Sequence, residues 1–297
     1  MNTCAIITSK NKKIRHIKPI EKHIVPSIEE AIRLQEYASQ AFSLLNSRSA
    51  VKKALKKERI LLNGKIASTA DWIQEGQLLE LLDEPVKTKK IFKLLLPVVF
   101  EDDFLAVIHK PSGYPTNGNY FKTIENALPF NLTKSTQKDA LAYPLPVHRL
   151  DNPTSGLLLI AKTKSVQAEL SLAFERKEIS KTYLAIVEGK FSKEEQMIND
   201  ELNGKASETL AKAIKFYQKG GNDFSLVELN PLTGRTHQLR KHLAMHGFPI
   251  VGDETYGAKF FLQKAIYLTA YKLQFTHPIT SDTHALKSPL SKRFLNF

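Results

Sequence analysis

The sequence predicts an α+β protein built as a small unit followed by a larger one, and three observations carry this. Helical periods and short hairpin-like strands are interspersed without the regular βαβ repeat of a parallel wheel. A polar, proline-containing stretch at residues 85–95 separates two patterned regions. At 297 residues the chain is also long enough for one large core and a small one, since single cores usually stop growing at roughly 250 to 300 residues.

Residues 1–26 hold scattered lysines and two prolines but no sustained period, so a flexible N-terminal arm is expected. A compact unit is expected over residues 27–84. In "SIEEAIRLQEYASQAFSLL", Ile28, Ile32 and Leu34 share one side, and Ser27 followed by Glu29 and Glu30 suits an N-cap, so a helix starting at Ser27 is expected. Ser49 then suits the cap of "AVKKALKKER", where Val51, Ala54 and Leu55 make an inward stripe. Lys52, Lys53, Lys56, Lys57 and Arg59 are left to water or a ligand. "ILLNGKIAS" reads as two short strands about Asn63-Gly64, a pair that tolerates positive φ, and "DWIQEGQLLELLD" adds a turn and a strand.

After the link, over residues 96–297, "VVFEDDFLAVIHKPSG" reads as strand, acidic turn and strand. Residues 114–147 read as a long loop around one helical candidate, "TIENAL". An apolar run at residues 157–161 reads as a buried strand and "SVQAELSLAFERKE" as an amphipathic helix. "KTYLAIVEGK" reads as a strand, "FSLVELNPLTGRTHQLRKHLAMHG" as strand, turn and helix, and "KAIYLTAYKLQFTHP" as a final strand pair.

Composition narrows the class. With 42% hydrophobic and 25% charged residues, and no apolar stretch near the ~20 residues that span a bilayer, no membrane partner is expected. The N-terminal region has no signal-peptide pattern, so a cytoplasmic location is expected. The single cysteine, Cys4, cannot close an internal disulfide. The net charge of +13 favours a polyanionic partner, nucleic acid first, and residues 1–90 carry 17 Lys and Arg against 10 Asp and Glu.

The chemistry centres on "HRLDNPTSGLLLIAK", residues 148–162. An aspartate in such a place commonly makes an Asx turn or caps a helix. Here Asp151 precedes a sharp Asn-Pro-Thr-Ser-Gly bend and then the apolar run, so its carboxylate stands at the edge of a packed core and needs a cation to stay ionised. "LTGRTHQLRKH" supplies Arg235, His237, Arg240 and His242 near the start of a helix, and either arginine could be that partner. His242 and His246 have the i, i+4 spacing of a zinc pair, but the glutamate of HExxH and a third ligand are missing, so no metal is expected. His148 is expected to make a structural hydrogen bond.

Two resemblances join these readings. "NSRSAVKKALKKERILLNGKIASTADWIQEGQLLEL" resembles the ribosomal-protein-S4-like RNA-binding domain, which nominates Arg48, Lys52, Lys53 and Lys56 for phosphate contacts. "PVHRLDNPTSGLLLIAKT" resembles the signature of the RluA-type pseudouridine synthase family. "HKPSG", "SKTYLAIVEGK", "LTGRTHQLRKHLAMHGFPIVGDETYG" and "LTAYKLQFTHP" resemble its other blocks in order. This family resemblance implies a mixed, mainly antiparallel sheet with flanking helices, behind a small α/β S4-like domain. It also implies conversion of uridine to pseudouridine in RNA. Asp151 matches the catalytic aspartate, Tyr183 the tyrosine against the target base, and Arg240 the ion-pair partner. Leu239 matches the apolar wall of the base pocket, Arg149 the arginine that fills the space of a flipped base, and Arg235 a less certain pocket position. The resemblance implies no metal or organic cofactor, a monomer, and an RNA substrate, ribosomal before transfer RNA. "SGYPTNGNY" departs from the family's more apolar pattern. The competing readings are a non-catalytic RNA-binding factor, disfavoured by the intact Asp151, Tyr183 and Arg240, and a glycosidase-like hydrolase, which would want a second carboxylate.

Overall fold

The uninterrupted apolar run at residues 157–161 belongs to a strand covered on both sides. Leu158 and Ile160 pack with Ala106, Ile108, Ile124, Ala127 and Leu128, while Leu157, Leu159 and Ala161 pack with Leu105, Val107, Val166 and Leu170. Successive side chains of a strand point to opposite faces, so two buried faces produce a continuous hydrophobic sequence. Each fully buried aliphatic side chain contributes about 1.5–3 kcal/mol, which makes this strand an anchor of the larger core.

The computed structural model describes residues 5–7, 14–16, 19–28, 30–45, 47–83, 90–260 and 265–297. Two units divide the chain, Met1–Thr88 and Lys89–Phe297. Residues 85–89 of the expected link, and Cys4, lie outside the described residues. No helix among those described is long and apolar enough to cross a membrane.

The first unit runs β1 (Ala5–Ile7), β2 (Ile14–His16), β3 (Pro19–Ile24), β4 (Ile32–Arg33), α1 (Leu34–Ala41), α2 (Arg48–Lys56), β5 (Ile60–Leu62), β6 (Lys65–Ile66), β7 (Trp72–Ile73) and β8 (Leu78–Leu82). Its main sheet has the order β3-β8-β5-β6, all antiparallel, while β1 pairs with β2 and β4 with β7. Leu34, Ala38, Phe42, Val51, Ala54, Leu55, Ile60, Leu79 and Leu81 form its core. The expected strands about Asn63-Gly64 are present, and both turn residues have positive φ.

Three expectations change here. The first helix starts at Leu34 and not at Ser27, because Ile32 and Arg33 pair with Ile73 and Trp72 and the Leu34 N–H donates to the Asp71 carbonyl. The second helix is capped by Ser47, whose hydroxyl accepts from the Ala50 N–H at 3.2 Å, and not by Ser49, which is inside it. Residues 19–24, expected in a flexible arm, are a strand hydrogen-bonded to β8.

The second unit runs β9 (Val98–Glu101), β10 (Leu105–Lys110), α3 (Ile124–Asn131), β11 (Ala140–Pro146), β12 (Ser155–Thr163), α4 (Lys164–Glu175), β13 (Ser180–Glu188), β14 (Gln196–Ile198), β15 (Thr209–Lys219), β16 (Asn222–Pro231), α5 (Gln238–Met245), β17 (Leu268–Thr276), β18 (Thr283–Lys287) and α6 (Lys292–Leu295). The stretch expected as a long loop or subdomain around one helical candidate carries that helix, α3, and in addition β11. The expected terminal strand pair is one strand, β17, whose partner β18 comes later in the chain.

Ten strands make one mixed sheet of order β14-β15-β16-β13-β17-β12-β10-β9, with β11 beside β12 and β18 beside β17. Every pairing among the described strands is antiparallel except β12 with β17, which is limited to Ser155↔Thr269 and Gly156↔Ala270. At this seam Gly156 has φ +116°, and a Cβ there would lie 2.3 Å from the Ala270 carbonyl oxygen. No residue with a side chain fits that approach. Past the seam, β11 takes the free edge of β12 and β18 that of β17. Two half-sheets therefore meet at a two-residue junction, and the bend carrying Asp151 leads directly into it.

Candidate active site

The backbone around Asp151 is fixed from the neighbouring strand. Lys110, the last residue of β10, is fully buried, and its Nζ donates to the carbonyls of Pro111 (3.1 Å), Asp151 (3.1 Å), Asn152 (3.2 Å) and Thr154 (2.7 Å). Burial lowers the Lys110 pKa to about 7, with the Asp151 charge opposing the shift. The Thr116 hydroxyl donates to the Leu150 carbonyl and accepts from the Leu150 N–H, and the Gly113 N–H donates to the Asn152 carbonyl. The "HKPSGYPT" segment is thus wired to the bend, which leaves the Asp151 side chain to project into a cleft of about 950 Å³.

Two groups from the start of α5 face that carboxylate. Arg240 Nη1 is 3.7 Å from Oδ2 and His237 Nε2 is 3.8 Å from Oδ1. The tighter partner of Arg240 is Asp253, which accepts from Nε at 2.6 Å and from Nη2 at 2.7 Å. The expected Asp151–Arg240 pair is therefore the looser side of a triad in which one guanidinium serves two carboxylates. Burial opposes the Arg240 charge, but the hydrogen bonds and charge of Asp253 outweigh it and raise the pKa. The Tyr256 ring lies 4.8 Å from the guanidinium, and its hydroxyl is hydrogen-bonded to His237 Nδ1 at 2.8 Å. His237 caps α5 in the left-handed region at φ 56°, which turns its ring back toward Asp151. Its pKa is lowered by burial against the opposing Asp151 charge.

Tyr183 on β13 packs against the cores of both half-sheets and lines the cleft. Burial, then the Asp151 charge, pushes its phenol pKa upward, so the hydroxyl is a proton donor and not a base at neutral pH. Leu239 is buried in the wall, and Arg149 and Arg235 line the same cleft as exposed side chains. Arg235 Nε donates to the Ala206 carbonyl at 3.0 Å, and of the two candidate arginines it is Arg240 that stands in ion-pair distance of Asp151. The cleft accordingly brings together Asp151, Tyr183, Arg240, Arg149, Leu239 and Arg235.

The histidines divide by environment. His148 Nε2 accepts from the Leu159 N–H at 3.0 Å, a structural use, and desolvation lowers its pKa to about 3. His242 bonds to Ser207 and Thr209 while His246 bonds to Asp200, so the i, i+4 pair is engaged separately. In the first unit, Arg48, Lys52, Lys53 and Lys56 lie on the exposed side of α2, and Arg48 is 3.9 Å from Glu36. Sequence reasoning missed Lys110, Asp253 and Tyr256. Lys110 had a signal, a lysine ending an apolar strand before proline; Asp253 and Tyr256 had only their place in "VGDETYG".

The arrangement presents a carboxylate, loosely approached by Arg240 and His237, beside a neutral phenol in a cleft large enough for a nucleotide. The model of the family "RNA pseudouridylate synthase" matches residues 104–245, which include Asp151, Tyr183 and Arg240. The chain is 32% identical over 230 residues to "Ribosomal large subunit pseudouridine synthase C" of Vibrio vulnificus (strain CMCP6), covering 70% of each chain. It is 33% identical over 260 residues to the protein of that name from Rickettsia bellii (strain RML369-C), covering 76% of this chain and 83% of the relative. Among solved structures, "Human RNA Pseudouridylate Synthase Domain Containing 4" shares the fold, with a TM-score of 0.54 at 24% identity over 67% of this chain and 90% of that one. By these matches the chain belongs to the RNA pseudouridylate synthase family, and it is an isomerase that makes pseudouridine in RNA.

Proposed function

We propose that the enzyme converts uridine to pseudouridine in large-subunit ribosomal RNA, with Asp151 as the catalytic carboxylate. The observation that carries this reading is the Asp151 side chain, projecting into the cleft with Arg240 and His237 at 3.7 and 3.8 Å and Tyr183 beside it. The C1′–N1 bond breaks, the uracil turns, and C5 bonds to C1′; C5 then loses its proton and N1 gains one, so the product is an isomer. The carboxylate either attacks C1′ or assists formation of a glycal, and both routes need it ionised. The neutral Tyr183 packs against the base as a hydrogen-bond donor, and the C5 proton leaves to a base other than this phenol. Leu239 walls the pocket, Arg235 lines its RNA side, and Arg149 occupies the space the extruded base leaves. Ribosomal RNA is favoured by the names of the relatives.

The first unit is assigned as an S4-like RNA grip. Arg48, Lys52 and Lys56 recur every four residues of α2 and Lys53 stands three before Lys56, so the four charges share one broad side of the helix. Contacts of this kind position an RNA without reading its sequence.

The test is Asp151→Asn on an unmodified large-subunit ribosomal RNA transcript, with pseudouridine mapped by chemical labelling and RNA binding measured in parallel. Pseudouridine formation is expected to vanish while affinity stays within severalfold. Comparable turnover by the variant would refute the assignment, and a wild-type enzyme active only on transfer RNA would refute the substrate.

A further inference from the structure

Lys181 is a cleft residue that the proposed mechanism does not use. It stands on β13 two positions before Tyr183 and lines the same cleft as Asp151. Its Nζ lies 5.5 Å from the centre of the Phe174 ring, which flanks it from the end of α4. Among the described residues it makes no ion pair, unlike Lys110, Lys162 and Arg240, which are held by carbonyls or carboxylates. Burial lowers its pKa, and no acidic neighbour offsets that cost. The same charge helps to keep the His148 ring, which also lines the cleft, neutral.

A half-buried ammonium without an anion is an unfavourable arrangement unless a ligand completes it. A uridine within an RNA chain offers one formal anion, its phosphate; the uracil carbonyls are neutral acceptors. We propose that Lys181 binds a non-bridging oxygen of the RNA phosphate next to the reacting uridine, and so anchors that nucleotide in the cleft that Asp151 lines. This rests on the reading of the cleft as the uridine site. Lys181 is thus a positioning residue: it acts on the phosphodiester while Asp151 acts on the sugar. Phe174 serves as its rest in the free enzyme, since a cation over an aromatic face is only weakly held at a partly exposed site.

The test compares full-length wild type, Lys181→Met and Lys181→Arg on an unmodified RNA transcript that the wild type modifies, ribosomal or transfer, with thermal unfolding as a control for folding. Lys181→Met keeps an aliphatic stem against Phe174 and is expected to raise KM about 10- to 100-fold, the range of a charge-assisted hydrogen bond, with kcat within about threefold. Removing one phosphate contact should also reduce the slope of log KM against log salt by about 0.7–0.9. Lys181→Arg should restore most of both. An unchanged salt slope in Lys181→Met, whatever its KM, would overturn the phosphate assignment and indicate contact with the neutral base. A loss of kcat alone would overturn it too. If the wild type forms pseudouridine on neither kind of RNA, the uridine-site reading itself fails and the proposal with it.

Discussion

Replacing Asp253 with asparagine tests whether Arg240 is held in place for Asp151. The carboxylate is 1% exposed and makes two hydrogen bonds of 2.6 and 2.7 Å to a guanidinium whose side chain is 5% exposed. Removing one partner of a buried ion pair costs about 3–5 kcal/mol, because the other charge is left uncompensated. The introduced amide can still accept one of the two hydrogen bonds, and Asp151 lies 3.7 Å from Nη1, so about 2–3 kcal/mol is expected. For a unit of this size each kcal/mol moves the melting temperature by about 2–4 °C, which predicts a fall of roughly 5–10 °C. The freed guanidinium should close on Asp151 and make a direct hydrogen bond, which stabilises the carboxylate before attack and lowers kcat at least about tenfold. Calorimetry reads the first effect, and proton release from C5 of uridine in RNA reads the second. A variant that melts and turns over like the wild type would show that Asp253 neither supports nor restrains Arg240.

Three other substitutions probe the scaffold and the grip. Gly156→Ala should abolish or severely destabilise the larger unit, since its Cβ would meet the Ala270 carbonyl at 2.3 Å; a well-folded variant in calorimetry would refute the seam geometry. Neutralising Lys52, Lys53 and Lys56 together should weaken RNA binding and reduce its salt slope by up to about 2–3, one increment of roughly 0.7–0.9 per lost phosphate contact; an unaltered slope in a salt titration would rule out α2 as the grip. His148→Gln keeps an acceptor for the Leu159 N–H but does not titrate. The native ring has a depressed pKa, so its contribution is fully present above the unfolded value of 6.5 and declines as pH falls from there toward about 3. The variant's stability should therefore fall less steeply across that window, by at most about 1.4 kcal/mol per pH unit, and identical pH profiles would contradict a neutral buried ring.

The elements that were legible in the sequence are those whose pattern is set by near neighbours. α2 declares its inward stripe through Val51, Ala54 and Leu55, and β12 declares itself because both faces are covered. The errors arise where distant contacts override local pattern. Strand Pro19–Ile24 turns Glu21 and His23 to partners and leaves Ile20 and Ile24 exposed, the inverse of an apolar inward face. Its holds are polar, with Glu21 accepting from Ser43 and His23 bonded to Tyr37, both of them beyond any local window. The start of α1 was misplaced for the same reason, since β4 forms only when β7 comes alongside. In the cleft, Asp151, Tyr183 and Arg240 could be singled out by motif. Asp253 could not, because its role depends on a chain reversal after α5 that brings it back onto Arg240.

That geometry bears on how a carboxylate can be both ionised and reactive. Within its own half-sheet Asp151 has Lys110, which grips main-chain carbonyls and leaves the carboxylate oxygens alone. In the other half-sheet Arg240 is already matched by Asp253. The contacts that cross the seam, at 3.7 and 3.8 Å, are longer than hydrogen bonds. An oxygen fully engaged by two short charge-assisted bonds would have its lone pairs committed and would attack carbon poorly. A carboxylate surrounded by hydrocarbon alone would take up a proton. The seam provides an intermediate arrangement in which Arg240 faces Asp151 without a short hydrogen bond and the carboxylate oxygens stay open to the cleft. Asp253 supports that arrangement by occupying the two guanidinium nitrogens that would otherwise close on Asp151.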